Sequence, residues 1–494
     1  MSFGGLDVGT SGCKCTLFDD SGKPLAVSYR AYKAARITGH HEIDVTTIWD
    51  AAKAVITEAA KETCEPLEVL CIYSFGESAA FLDKNDTPVI PAMLYTDPRG
   101  SEEADILAKN LGDFHIYRIT GHRSNSTYTL PKLIWTYKHL RDRMARVEKI
   151  LPITSFITYF LTGETVSDPS LAARTMMLDI KKLRWSEELL DEAGISEKML
   201  PGIVDIGTVV GTIRKTVAEE LGVLPIMKVV MGAHDQIVAA IGAGVLDSGL
   251  AVNSSGTVEC ITPVFEKVQS PGKLFRNHFA TIPMLKERYA TYATVFSGGI
   301  LLQWFRDNFT DPQKVRTEKQ NVDMYEYLDS ISQGGPTGIL VLPHFVGSAS
   351  PYYDSGSKGA IVGLTLEHTA ADIYRALQEG ICYEVALNLE LLAGAGIRIN
   401  SLRIVGGGEK SRRWNQMKSD IYGIPCTTLK AGEAGAIGSA MLAGIALGKY
   451  SDLEHAVAEL VAENETFMPR KEYTERYTSY FERYKNLYKA VRNI

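Results

Sequence analysis

Two stretches of the chain alternate apolar with small or polar residues around a glycine turn, and both predict β-hairpins. In the first, Gly5-Leu-Asp-Val-Gly-Thr-Ser-Gly-Cys-Lys14 leads through Cys15-Thr-Leu-Phe18 to Asp19-Asp-Ser-Gly22. This reads as strand, tight turn, strand and a second turn, because glycine frees the backbone and Asp-Ser-Gly suits a loop between strands. The second, Val252-Asn-Ser-Ser-Gly-Thr-Val258, repeats the scheme with a hydroxyl-rich turn. The likeness of the two suggests two copies of one domain. Farther on, Leu402 to Val405 predicts a buried strand running into Gly406-Gly-Gly408 and then a helix over Arg413 to Tyr422. The apolar run Ile226 to Met231 predicts another buried strand, with a helix behind it through the small residues Ala239 to Gly244. Lys132 to Leu200 is expected to be a helical insertion, and Pro271 to Asp329 to mix short strands with a helix. Tyr473, Tyr477, Phe481, Tyr484 and Tyr488 recur at helical spacing, which predicts a packing face and not a ligand site.

Length and charge narrow the picture. At 494 residues the chain exceeds one ordinary core, since domains run to roughly 100–200 residues. The expected division is a domain over residues 1–247 and another over 248–494, with a hinge-like break at Gly244-Val-Leu-Asp-Ser-Gly249. The composition, 45% hydrophobic and 22% charged, is that of a globular protein. A net charge of -7 argues against nucleic acid as the main partner, and the basic run Lys138 to Lys149 reads as a solvated helix face. Seven cysteines without a CxxC pair fit neither a disulfide framework nor a zinc site; Cys13 and Cys15 read as small core residues on one strand face. No basic-then-apolar leader is evident and no apolar run reaches about 18 residues, so a cytoplasmic protein with no membrane association is expected. His40-His41 beside Glu42 predicts no metal, because adjacent side chains diverge.

The candidate chemistry sits at the strand ends. Asp235, in Met231-Gly-Ala-His-Asp-Gln-Ile237, stands where a general base for a hydroxyl would be placed, and equally where a helix N-cap would stand. The Gly9 to Gly12 turn points backbone N–H groups and the Thr10 and Ser11 hydroxyls at one spot, which suits a phosphate. Asp7, ending the strand before it, suits a Mg²⁺ ion held through water. Neither GxxxxGK[ST] nor a helix-opening GxGxxG occurs here, so the common nucleotide motifs do not apply.

In this order and spacing the motifs resemble the FGGY family of carbohydrate kinases, whose members include glycerol kinase, xylulokinase, L-fuculokinase and rhamnulokinase. The resemblance runs from Leu6 to about Leu447. It also takes in Trp49, Asp97-Pro-Arg99, Leu161-Thr-Gly-Glu164 with Ser167-Asp168, and Arg174-Thr-Met-Met-Leu-Asp179. Farther along it includes Ser297-Gly-Gly299 with Gln303-Trp304, and Gly359-Ala-Ile-Val-Gly-Leu364 running into Ala376-Leu-Gln-Glu379. It implies an α/β fold of two actin-like, ribonuclease-H-like (ASKHA) domains with an interdomain cleft, and transfer of the γ-phosphoryl group of ATP, with Mg²⁺, to a sugar or polyol hydroxyl. Carried over, Asp235 matches the base and Asp7 the carboxylate near the metal. Thr10, Ser11 and Lys14 match the first phosphate hairpin, and Gly256 and Thr257 the second. Gly299 and Gln303 match nucleotide contacts, and Gly407, Gly408, Ser411 and Asn415 the adenosine pocket. The acceptor site is expected to comprise Gly76, Glu77, Asp97, Tyr128, His234, Asp235 and Gln236.

Ser74-Phe-Gly-Glu-Ser78 occupies the acceptor turn, where xylulokinases show Met-His and glycerol kinase Arg-Glu. Gly76 replaces the Met or Arg while Glu77 remains, so this turn, with His234 and Ser254-Ser-Gly256, looks closer to the L-fuculokinase and rhamnulokinase branch. The expected acceptor is therefore a pentulose, a 6-deoxyketohexose or a polyol, and a homodimer is the assembly entertained. Two other classes share such hairpins: a nucleotide-switched binding protein, and a catalytically silent sugar sensor. A binding protein of the first kind should carry a separate peptide-binding domain, and the sensor a helix-turn-helix arm before the first strand; neither is evident. The presence of both Asp7 and Asp235 also disfavours a silent protein.

Overall fold

The computed structural model describes residues 2–37, 39–268, 270–311, 313, 314, 317, 321–332, 334–430 and 433–493. Two compact units emerge. The first gathers Met1–Gly244, Ala280–Ala290 and Ala431–Ala462; the second gathers Val245–Phe279, Thr291–Lys430 and Glu463–Ile494.

Unit 1 is built on a six-stranded sheet. Its strands are β1 (Ser2–Val8), β2 (Gly12–Phe18), β3 (Pro24–Ala31), β4 (Leu67–Ser74), β5 (Val209–Thr212) and β6 (Lys228–His234), in the order β5-β6-β4-β1-β2-β3. β1, β4 and β6 run parallel, while β2, β3 and β5 pair antiparallel to their neighbours. Covered on both faces, β4 is nearly continuous in buried apolar residues, as a central parallel strand must be. Helix α1 (Val45–Glu62) lies on one face; Asp44 caps it by accepting from the Thr46 amide at 2.9 Å. Its Val45, Ile48, Ala52, Val55, Ile56 and Ala59 recur at three- and four-residue steps and are buried.

The small residues after β6 have a packing reason. They form helix α2 (Asp235–Gly242), which meets the helix Ala434–Leu447 at backbone distance: a Cβ on Gly242 would lie 2.5 Å from the Gly438 amide nitrogen, and one on Gly438 would lie 2.9 Å from that of Gly242. Only glycine permits that approach.

Unit 2 repeats the scheme. Strands β7 (Leu250–Ser255) and β8 (Glu259–Phe265) form a hairpin; β9 (Ser401–Val405) and β10 (Cys426–Leu429) continue parallel to β7, and β11 (Glu463–Phe467) closes the edge antiparallel. Helices α3 (Gly299–Phe309), α4 (Ala370–Gly394) and α5 (Arg412–Tyr422) accompany this sheet. Each unit thus carries a hairpin whose first strand is followed sideways by parallel strands. The aromatic stripe near the C-terminus packs as expected: Tyr477, Tyr484 and Tyr488 are buried in one core cluster with Leu340, Ile381 and Tyr383.

The stretch Lys132 to Leu200 differs from the helical reading. Helices Thr129–His139 and Ile153–Thr162 are present, but Lys149–Pro152 pairs with Ala79–Leu82, and Val166–Ser167 with Gly202–Ile203. Strands this short, with partners far off in sequence, leave no local period to read.

Candidate functional site

In unit 1 the C-terminal ends of the parallel strands β1, β4 and β6 open at one edge of the sheet, which is where ligands bind in open α/β sheets. β1 delivers Asp7 and the turn Gly9-Thr10-Ser11-Gly12. β4 delivers Phe75-Gly76-Glu77, and β6 delivers His234, Asp235 and Gln236. The turn after β1 is fixed from below. The Gly9 amide donates to Gly12 O at 2.9 Å, the Tyr32 amide donates to Ser11 O at 3.0 Å, and the Tyr32 hydroxyl donates to Gly9 O.

Asp235 is the first residue of α2, and the backbone cap of that helix is His234. The Asp235 carboxylate accepts from the Gln236 amide at 2.6 Å and lies 3.2 Å from His234 Nδ1. Although 38% of its side chain is exposed, the protein packed around the carboxylate withholds enough water to push its pKa up to about 6, against the pull of the Gln236 amide and of Arg174. Asp7 is pushed further, to about 7, first by burial and then by the Asp235 charge, with Lys14 opposing. Lys14 faces Asp7 across the β1–β2 ladder and forms an ion pair with Glu433. The His234 imidazole is held well below its usual range, chiefly by burial and then by Arg174 and His122, so it is neutral at physiological pH.

Sequence reasoning did not assign Arg174 to the site. It ends the short helix Pro169–Ala173, whose N-cap Asp168 accepts from the Ser170 and Leu171 amides. Ser170 Oγ in turn accepts from the His234 amide at 2.9 Å, which ties this helix to the head of β6. Arg174 forms an ion pair with the buried Glu77 and lies 5.2 Å from the centre of the Tyr128 ring. Tyr128 also shares a 3.0 Å hydrogen bond with His122 Nδ1. The only advance sign was that Arg174 opens one of the family-like segments.

Gly76 has a steric reason to be glycine. A Cβ there would lie 2.9 Å from His234 Cδ2 and 3.3 Å from Arg174 Cβ, so the imidazole occupies the space a side chain would need. Glu77 holds the left-handed conformation, φ 63°, a backbone state uncommon for a residue with a side chain. Strain of this kind concentrates at functional sites. Asp97 is engaged elsewhere: its carboxylate accepts from the His41 amide at 2.7 Å and from Arg99 at 2.6 and 2.9 Å. Burial works against its charge, yet those bonds hold its pKa below the usual value.

The remaining expected residues lie in unit 2. Gly256 and Thr257 form the exposed tip between β7 and β8, and Gly299 and Gln303 lie on α3. A Cβ on Gly299 would lie 2.5 Å from Gly256 O, so α3 begins in contact with that tip. Gly407 and Gly408 follow β9. Ser411 caps α5, accepting from the Trp414 amide at 3.1 Å and donating to Asp329 at 2.6 Å. Asn415 is fully buried under the glycine turn; its amide donates to Glu409 O at 2.7 Å, and its Oδ1 has no hydrogen-bond partner among the described residues.

Comparison with known proteins bears on the whole chain. A xylulose kinase of Bacillus subtilis is 27% identical over 99% of this chain and 97% of its own. An autoinducer-2 kinase of Klebsiella pneumoniae is 28% identical over 98% and 93%. Among solved structures, a ligand-bound xylulose kinase from Lactobacillus acidophilus superposes with a TM-score of 0.90 at 25% identity, covering 99% of this chain and 98% of that one. A gluconate kinase from the same organism, at 24% identity, shares the fold with a TM-score of 0.90. The fold is thus the two-domain, actin-like α/β kinase fold. Residues 2–242 match the N-terminal domain, and residues 251–447 the C-terminal domain, of one family of sugar kinases: the chain belongs to the FGGY family of carbohydrate kinases.

Proposed function

We propose that this sugar kinase transfers the γ-phosphoryl group of Mg-ATP to a hydroxyl of an uncharged ketose or polyol in the cytosol, with Asp235 as general base. The observation that carries the reading is the place of the Asp235 carboxylate at the head of β6, beside His234 and partly open to an incoming hydroxyl, where its pKa is pushed up to about 6. A base poised there is ionised at neutral pH yet still takes a proton readily as the acceptor oxygen attacks. Phosphoryl transfer is otherwise mostly positioning and charge stabilisation, and the other residues serve those ends. Residues 1–247 supply the acceptor side and the first phosphate turn, with Thr10, Ser11 and Lys14. Residues 248–494 supply the nucleotide side through Gly256, Thr257, Gly299, Gln303, Gly407, Gly408, Ser411 and Asn415.

Asp7 fits a magnesium ion held through water. Its proton affinity is raised first by burial and then by the Asp235 charge, and a cation relieves both. Among the described residues no three His, Cys, Asp or Glu side chains converge as a dedicated cage would require; magnesium takes one or two carboxylates and keeps most of its water. When bound, the ion would neutralise charge on the phosphates.

The acceptor side comprises Gly76, Glu77, Tyr128, His234 and Gln236, with Asp97 acting through its Arg99 network. Arg174 is balanced by Glu77, and Asp7 and Asp235 add negative charge, so the surroundings favour a neutral acceptor over an aldonate. The relatives' names cover different acceptors, and a panel of ketopentoses, 6-deoxyketohexoses, polyols and an aldonate, read by ATP consumption, identifies the one used here. With that acceptor, Asp235→Asn should lower kcat by about 10²-fold or more while ATP still binds. The parent's kcat/KM should rise with pH through about 6, as Asp235 loses its proton. Near-parental turnover by Asp235→Asn would exclude Asp235 as the base, and an aldonate as best acceptor would exclude a neutral substrate.

A further inference from the structure

Beneath the hairpin tip of unit 2 lies a charge pair without exposed surface. Lys418, on α5, and Glu259, the first residue of β8, are both fully buried, with Nζ and Oε1 2.5 Å apart. Lys418 Nζ also donates to Ser255 Oγ at 3.0 Å and Asn253 Oδ1 at 3.2 Å, and lies 4.2 Å from the centre of the Trp414 ring. Glu259 further accepts from Asn253 Nδ2 and from Ser255 Oγ, each at 2.8 Å. All three ammonium protons and both carboxylate oxygens are therefore engaged. Packed apolar side chains of similar volume are often as stabilising as a buried ion pair, or more so, so stability alone does not account for it.

Its position does. Asn253, Ser255 and Glu259 flank the tip Gly256-Thr257-Val258, and the tip is held on two sides by glycines. On one side a Cβ on Gly408 would lie 2.7 Å from Ser255 Cβ and 3.2 Å from Trp414 Cζ3, and one on Gly406 would lie 2.8 Å from Ser255 O. On the other, a Cβ on Gly298 would lie 2.6 Å from Val258 C. Ser255 is thus both the residue against which the Gly406–Gly408 turn rests and a partner of both buried charges.

We propose that Lys418 and Glu259 are positioning residues for the nucleotide: the pair sets the spacing and tilt of the Gly256–Thr257 and Gly407–Gly408 turns without touching the ligand. This rests on the reading that those turns hold ATP. Because the two charges cancel, the effect is geometric, and it acts on ATP and not on the acceptor.

The test uses the full chain. Lys418→Met or Glu259→Gln alone strands a buried partner and should lower Tm. The double variant removes both charges together, a change that is often neutral for stability. It should keep the parent's circular dichroism and Tm, raise KM for ATP and Kd for a non-hydrolysable analogue about 10-fold or more, and leave KM for the acceptor within about 2-fold. Ser255→Ala, which removes one bond to each charge and leaves the pair, should raise KM for ATP about 3-fold or more, and it decides the matter if the double variant does not fold. A folded double variant with parental ATP affinity, or a Ser255→Ala enzyme indistinguishable from the parent when the double variant is unfolded, overturns the positioning role. Gly256→Val, at the exposed tip, separates the two readings. If it binds ATP as the parent does, the turn is not a nucleotide contact and the positioning role falls with it. If it alone loses ATP, only the positioning role falls.

Discussion

Asp7 and Asp235 show what this edge of the sheet asks of single residues. Each carboxylate is held above its ordinary pKa, at about 7 and about 6, with burial as the first cause in both and mutual repulsion adding to Asp7. A carboxyl whose pKa is raised on folding binds protons better in the folded state. Its contribution to stability is therefore present at low pH and is lost as pH rises from the unfolded value near 4 through the folded value. At pH 8 both groups are ionised and destabilising, a load consistent with stability traded for function. Asp7→Asn removes that load from Asp7. Without ligands its Tm at pH 8 should exceed the parent's by about 1–2 °C, because about 1 kcal/mol moves Tm less the longer the chain. The gap should close as pH falls from 7 towards 4. Thermal melts across that range check it, and a gap that persists or widens in acid would show that Asp7 is not the strained group.

At the scale of elements, both glycine hairpins were legible because their signals are local: alternation, a glycine turn and hydroxyls within a dozen residues. The strand ending at His234 was legible for the same reason. Less could be read where the cause lies far away in sequence. Nothing near Arg174 announces that the Ser170–His234 bond brings it to the head of β6, and the short strands at Lys149 and Val166 have partners in other segments. The helix through Ala239 to Gly244 was legible too, but the reason for its small residues was not: it is the close crossing with Ala434–Leu447. That crossing is testable. Gly438→Val sets a branched side chain against the Gly242 backbone, and overpacking of this kind costs about 1–3 kcal/mol, so Tm should fall by several degrees. Gly394→Ala is the control. An added methyl there meets nothing within 4 Å, and helix propensity makes the change neutral to stabilising. Equal melts for Gly438→Val and parent would mean that the helices are not held in contact.

For the whole molecule, the order of the chain is not the order of its cores. Unit 1 takes most of its residues from before Gly244 but includes 431–462, so its completion waits for a segment made after nearly all of unit 2. The helix Ala434–Leu447 packs on β1, β4 and α2, and its Ala440, Met441, Leu442 and Ala443 are buried. A fragment of residues 1–247 would leave the apolar surface beneath that helix open to water, at about 25 cal/mol per Å² exposed. We expect it to keep far-UV circular dichroism while losing near-UV signal, binding a hydrophobic dye and melting without a sharp transition, as loosely packed states do. Fusing residues 431–462 to its end through a flexible glycine-serine linker should restore a cooperative melt and suppress dye binding, although residues 248–430 are still absent. A 1–247 fragment that already melts as sharply as the fusion would mean that the helix decorates a finished core. Recovery only when residues 248–430 are also present would mean that unit 1 cannot form without its neighbour.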